Sequence, residues 1–98
     1  MFIVLTKTGY TAKSKDRILE IARGSVPILK KQPGLVSHTQ HLSHDDTHMM
    51  TYWVWQDEAS HLACMSSDDW APYNAQWAAM IESGEMTFYL KTYDLWKP

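Results

Sequence analysis

The sequence predicts an α+β fold of the ferredoxin-like, split β-α-β-β-α-β kind, and three observations carry that prediction. Strand-like alternation opens the chain over Phe2 to Tyr10 and closes it over Glu85 to Trp96. Between Leu35 and Trp55 two extended runs flank the polar turn His44-Asp45-Asp46-Thr47, which is a hairpin signal. The stretches before and after that hairpin change to a 3.6-residue apolar period, the mark of helices lying on one face of the sheet.

Each element has a local reason. Phe2 to Leu5 is apolar, and Lys7 and Gly9 then alternate with Thr6, Thr8 and Tyr10, giving a first strand. From Lys13 onward, Ile18, Ile21, Ala22, Ser25 and Leu29 fall on one side of a helix, with Lys15, Asp16, Glu20 and Lys30 largely on the wet side. Pro27 cannot donate to the carbonyl of Arg23, so a kink or a loosened last turn is expected before Pro33-Gly34 ends the helix. A hairpin centred on Asp45-Asp46 sets Val36, His38, Gln40 and Leu42 opposite Trp55, Trp53, Thr51 and Met49, with His41 and Tyr52 on the other face. Asp57 can cap a short helix through about Met65, and Ser67 or Asp68 a second one starting near Asp69. Pro72 suits that helix's first turn and Gly84 closes it. Trp70, Asn74, Trp77 and Ile81 form one stripe along it, with Tyr73 beside them.

Composition narrows the function. The 98 residues, 45% of them hydrophobic, fit a single domain spanning 1–98. Nine Lys plus Arg scattered against eleven Asp plus Glu leave a net charge of −2 and no basic stripe, so no nucleic-acid partner is expected. Cys64 is the only cysteine, which rules out an intrachain disulfide. The apolar run Phe2 to Leu5 is too short for a signal-peptide core or a membrane span, so no membrane partner and a cytoplasmic location are expected. Five Trp, five Tyr and six Met exceed what so small a core holds, and the excess points to an interface, a ligand pocket or both. Both faces of the hairpin carry bulky side chains, the chain's own helices can cover one, and a second copy is the simplest cover for the other. A homodimer is therefore expected.

The polar residues among these aromatics are the candidates for chemistry. Asn74 sits on an apolar stripe, where a carboxamide is costly to bury unless something meets it. His61 and His38 can act as proton acceptors near neutral pH, or can be ordinary structural histidines. Trp70, Tyr73 and Trp77 suit either core packing or a platform for a flat ligand. His38, His41, His44 and His48 invite a metal reading, but residues three apart on a strand point to opposite faces and His44 lies in the turn, so no metal site is expected. Cys64 follows Leu62-Ala63 on an apolar helix, the setting of a buried, inert thiol.

The Pro33-Gly34 step, the hairpin ending in Tyr52-Trp53-Val54-Trp55, the Gln56-Asp57-Glu58-Ala59 helix start, the Ser67-Asp68-Asp69-Trp70 junction and the aromatic last strand resemble the antibiotic biosynthesis monooxygenase (ABM) family. The resemblance runs over nearly the whole chain in element order and implies a dimeric α+β barrel, two ferredoxin-like sheets face to face with helices outside. The family holds cofactor-independent oxygenases of polycyclic or quinol-type aromatics, heme-degrading enzymes, small-metabolite enzymes and proteins without an assigned reaction. Against the heme-degrading branch, the axial-histidine position falls on Asn74, the pocket-tryptophan position on Cys64 and the first-strand asparagine position on Ile3, and none matches. The aromatic-oxidising branch implies a small aromatic or quinol-type substrate, no cofactor, catalytic roles for Asn74 with His61 or His38, and substrate contacts from Trp53, Trp55, Cys64, Trp70, Tyr73 and Trp77. One departure is that the chain's arginines, Arg17 and Arg23, both lie on the first helix, leaving none for the pocket. An isomerase or proton-transfer enzyme on the same fold, and a non-catalytic module binding an aromatic or heme-like ligand, remain alternatives.

Overall fold

In the computed structural model, which describes residues 1–98, the chain runs β1 (Phe2–Tyr10), α1 (Lys15–Leu29), β2 (Leu35–Leu42), β3 (His48–Trp55), α2 (Glu58–Met65), α3 (Ala71–Ser83) and β4 (Met86–Asp94). The four strands form one antiparallel sheet in the order β2-β3-β1-β4. This is the predicted ferredoxin-like arrangement, with its second helical segment broken in two. No helix is long and apolar enough to cross a membrane.

The caps explain the boundaries. Asp57 accepts a hydrogen bond from the Ser60 backbone N–H at 2.8 Å and starts α2. Ser67 Oγ accepts from the Trp70 N–H at 3.2 Å, yet α3 begins only at Ala71, because a turn separates that hydroxyl from the first helical residue. Helix α1 starts at Lys15 rather than Lys13, behind Ser14, whose hydroxyl donates to the Glu85 carbonyl at 2.7 Å. It runs through Pro27 and ends two residues later, where Lys31 and Gln32 bond back three residues to Ile28 and Leu29. Strand β4 stops at Asp94 instead of Trp96, although Leu95 still donates to the Met1 carbonyl.

The hairpin register holds from Ser37 to Leu42, with His38 opposite Trp53 and Gln40 opposite Thr51. It fails at Val36. A bulge between Leu35 and Ser37 sets Leu35, not Val36, against Trp55 and leaves Val36 exposed. The bulge follows Gly34, whose φ of +85° is a left-handed conformation and whose carbonyl accepts from Gln56 N–H at 2.7 Å. At the hairpin tip Asp46 takes a φ of +58°, and its carboxylate receives the Tyr10 hydroxyl at 2.8 Å and Lys15 Nζ at 2.7 Å, tying the turn to the end of β1 and the start of α1.

Continuing the registers across the sheet gives rows on the helix-covered face. One row is His38, Trp53, Val4 and Thr92; the next is Gln40, Thr51, Thr6 and Leu90; a third is Leu42, Met49, Thr8 and Phe88. Two apolar clusters hold the layers together. Phe2, Val4, Leu29, Trp53, Trp55, Cys64 and Trp70 form the larger, and Ile18, Met80 and Met86 the smaller. The molecule is 21 Å across its thinnest dimension, the thickness of one sheet plus one helix layer at about 10 Å each. No second layer covers the other face, where Met50, Tyr52, Tyr89 and Tyr93 stand exposed beside Ile3 and Leu5.

Candidate functional site

Between the sheet and the helices lies a cavity of about 290 Å³. Its floor is the sheet, including Val4, Thr6, Thr8, Thr51 and Trp53; its roof is built by Ile21, Ala22 and Ser25 of α1, by Trp70 immediately before α3, and by Tyr73, Asn74, Trp77 and Ile81 of α3. The stripe read from the sequence of α3 is thus the cavity roof. The Tyr73 hydroxyl donates to the Gly24 carbonyl at 2.8 Å and fixes α3 against α1, which sets the roof height.

Two histidines reach the wall, His38 from β2 and His61 from α2. His61 is buried beside the rings of Phe2 and Trp55, with centroids 5.6 and 5.7 Å away. Burial pushes its imidazole below the ordinary histidine pKa, against a smaller upward pull from Glu58, and burial does the same to His38. Both therefore stay neutral at pH 7, the state in which an imidazole accepts a proton. A linkage follows. The folded chain binds these protons less readily than the unfolded chain, so stability is full above the unfolded value of about 6.5 and falls as pH drops below it. The thermal midpoint is expected to decline through that interval and to decline less in His61→Gln; equal slopes for the two proteins would contradict it.

Asn74 is oriented by its neighbour: Nδ2 donates to the Met65 carbonyl at 3.1 Å, at the end of α2. That contact fixes which side of the amide is nitrogen and leaves the second N–H and Oδ1 for a ligand. An amide committed in this way to a backbone carbonyl does not offer the ring nitrogen that an axial imidazole gives a heme iron.

Of the residues singled out from sequence, Asn74, His38, His61, Trp53, Trp70, Tyr73 and Trp77 all meet at the cavity. Trp55 and Cys64 do not. Both are sealed in the larger apolar cluster, and burial raises the Cys64 thiol to about 11, an unreactive state. Ile3 faces the opposite side of the sheet, so β1 contributes Val4, Thr6 and Thr8 to the cavity instead. His41 shares that opposite face and lies 3.0 Å from Thr39 Oγ1 through Nε2, while His48 Nδ1 lies 2.8 Å from Thr47 Oγ1; no three metal-binding side chains converge. Sequence reading missed Thr6, Thr8, Gln40, Thr51, Phe88 and Leu90 as wall residues. The available signal was a set of small hydroxyls at strand positions that alternate in phase with Val4 and Trp53.

The comparisons with known proteins agree with this architecture. Rv0793 from Mycobacterium tuberculosis superimposes with a TM-score of 0.84 at 11% identity, covering 99% of this chain and 96% of that one. SnoaB, a cofactor-independent oxygenase from Streptomyces nogalater, does so with a TM-score of 0.80 at 14% identity, covering 99% and 95%. PA3566 from Pseudomonas aeruginosa gives 0.80 at 9% identity, covering 98% and 94%. At such identities these likenesses speak to the fold alone. No curated protein matches in sequence. The family model described as antibiotic biosynthesis monooxygenase matches residues 1–76, from β1 into α3. The chain belongs to the antibiotic biosynthesis monooxygenase family.

Proposed function

We propose that the chain is a small cofactor-independent monooxygenase of an aromatic or quinol-type molecule, working as a homodimer. The observation that carries the reaction is an apolar, ring-lined cavity holding one oriented carboxamide, Asn74, and two neutral imidazoles, His61 and His38. An electron-rich phenol in that cavity loses its O–H proton to an imidazole, and the free N–H of Asn74 donates to the oxygen as charge develops. The anion passes one electron to dioxygen, and the two radicals join at a ring carbon that still bears hydrogen. Loss of water from the resulting hydroperoxide leaves a carbonyl, so one oxygen atom enters the product and the other leaves as water. Trp70 and Trp77 offer flat apolar contact to the substrate.

The test is oxygen uptake by metal-free protein with hydroquinones, naphthols and anthrones. Uptake that requires the protein supports the reading. Product without uptake would replace it with an isomerase or proton-transfer enzyme, and saturable binding without product with a ligand-binding module.

The dimer rests on the uncovered sheet face and on the barrel architecture of the family. Met50, Tyr52, Tyr89 and Tyr93 form an aromatic, apolar face, interrupted by Lys7 and Lys91, that a second sheet can cover. Sedimentation is expected to show a dimer at micromolar concentration, and Tyr52→Glu a shift to monomer. A wild-type monomer under those conditions would overturn the assembly.

A further inference from the structure

The most buried polar side chains of the cavity wall carry hydroxyls. Thr6, Thr8, Thr51 and Ser25 all line it and are 5%, 1%, 3% and 6% exposed. Ser25 is spent, since its hydroxyl donates to the Ala22 carbonyl at 2.6 Å. The three threonine hydroxyls bond to nothing in the chain, yet they are not sealed: the polar side-chain atoms closed off without a partner are ring nitrogens of His38, Trp53 and Trp55. A hydroxyl that is unbonded and unsealed on a residue this buried opens on the cavity that the residue lines. Buried polar groups without a partner are costly and rare, so water or a ligand oxygen has to complete these three. Two of them form a pair. Thr6 on β1 stands directly opposite Thr51 on β3, and residues so placed have Cβ atoms about 4.5 to 5.5 Å apart. Cross-strand threonines can bond to each other; these do not, which leaves two hydroxyls able to converge on one oxygen between them. Thr8 faces Met49 and Phe88 instead and has no such companion.

We propose that the paired hydroxyls of Thr6 and Thr51 form a subsite for a second oxygen function of the substrate, a ring hydroxyl or carbonyl at the end away from Asn74. This rests on the cavity being the substrate site, as proposed above, and it narrows the substrate class to quinol-type rings that carry oxygen at two separated positions. Asn74 holds an exposed position on the roof, and Thr6 and Thr51 hold buried positions on the floor, so the two contacts fall on different oxygens. A threonine hydroxyl both donates and accepts. The pair therefore holds a carbonyl oxygen with two donated hydrogens, or a ring hydroxyl by donating one hydrogen and accepting another. Around the pair the floor is mostly apolar, with Val4, Trp53, Met49 and Leu90 as neighbours, so a ring that lacks the second oxygen displaces water from both hydroxyls and leaves them unpaired.

The experiment is anaerobic equilibrium dialysis with naphthalene-2,6-diol and 2-naphthol, which differ by one hydroxyl at the far end of the molecule. Wild-type protein is expected to prefer the diol by about fivefold to tenfold, the range of one or two net hydrogen bonds. Thr6→Val and Thr51→Val keep the branched shape and the strand preference while removing the hydroxyl, and the two together are expected to bring the ligands near parity. Because these hydroxyls have no partner in the chain, neither substitution is expected to lower the thermal midpoint. Ser25→Ala removes the wall hydroxyl that is already bonded to Ala22, and is expected to keep the preference. No preference in the wild type, a preference retained in the double variant, or one lost equally in Ser25→Ala overturns the proposal, as does a midpoint lowered by either valine. Because no turnover is involved, the two readings fail separately. A preference that follows Thr6 and Thr51 without oxygen uptake would sink the oxygenase and keep the subsite, whereas uptake with a preference indifferent to both variants would sink the subsite alone.

Discussion

Asn74→Ala is expected to lower kcat and kcat/KM for an oxidised phenol together, by about a hundredfold, the scale for losing one donor to a developing oxyanion. The reason is geometric. One amide hydrogen is committed to the Met65 carbonyl, so the other has a fixed direction and needs little reorganisation when charge appears on the substrate. Asn74→Asp keeps the shape, removes the donor and adds a like charge beside the anion, so its loss is expected to be at least as large. Stability offers the control. The Met65 carbonyl, one of the last of α2, can turn to water when Asn74 is removed, and the change in unfolding free energy is expected to stay near 1 kcal/mol or below. Stopped-flow oxygen consumption and urea unfolding on the same preparations separate the two effects; a rate loss explained by unfolding would remove Asn74 from the chemistry.

Gly34→Ala is expected to cost about 2 to 5 kcal/mol, a large share of the 5 to 15 kcal/mol typical of a domain. Two penalties add. The φ of +85° is unfavourable for any L-residue with a side chain, and a Cβ there would overlap Ser60 Oγ and Cβ. Ser60 is not free to move aside, since its backbone N–H and its hydroxyl both donate to the Asp57 carboxylate at 2.8 and 2.7 Å. Gly84 supplies the comparison: its φ is +82°, but nothing lies within 4 Å of an added Cβ. Gly84→Ala is therefore expected to show the strain alone, and urea unfolding that gave the two variants equal losses would show that the Ser60 contact relaxes freely.

The parts of the fold legible in the sequence were those set by local chemistry. Alternation and one polar turn were enough to place His38 opposite Trp53, because a slip by one residue would have exchanged the buried and exposed faces of β3. The bulge at Val36 was not legible, since it answers the entry angle imposed by Gly34 rather than a residue preference in β2. The cavity was half legible. Helical spacing from the N-cap of α3 onward gathered Trp70, Asn74, Trp77 and Ile81, which all line the roof. No periodicity distinguishes Trp53 from Trp55, two residues apart on one face. Only the packing over them does: Trp55 is closed in with Cys64 and His61 of α2, while Trp53 borders open volume. The threonines of the floor were hidden by a similar ambiguity, because Thr is as much a strand former as a hydrogen-bonding residue.

The order β2-β3-β1-β4 gives the pocket a history as well as a shape. Strand β1 is among the first segments of the chain and β4 among the last, and they pair along their length from Phe2 with Asp94 to Tyr10 with Met86. Phe88 and Leu90, which finish the floor, come into place only when this most distant pairing closes. Without that pairing the cavity lacks Phe88 and Leu90 from its floor, and bringing together strands so remote in sequence carries a large loop-closure cost. A ligand that touches Phe88 and Leu90 therefore binds only chains in which β1 and β4 are paired, and its binding free energy adds to the stability of that pairing.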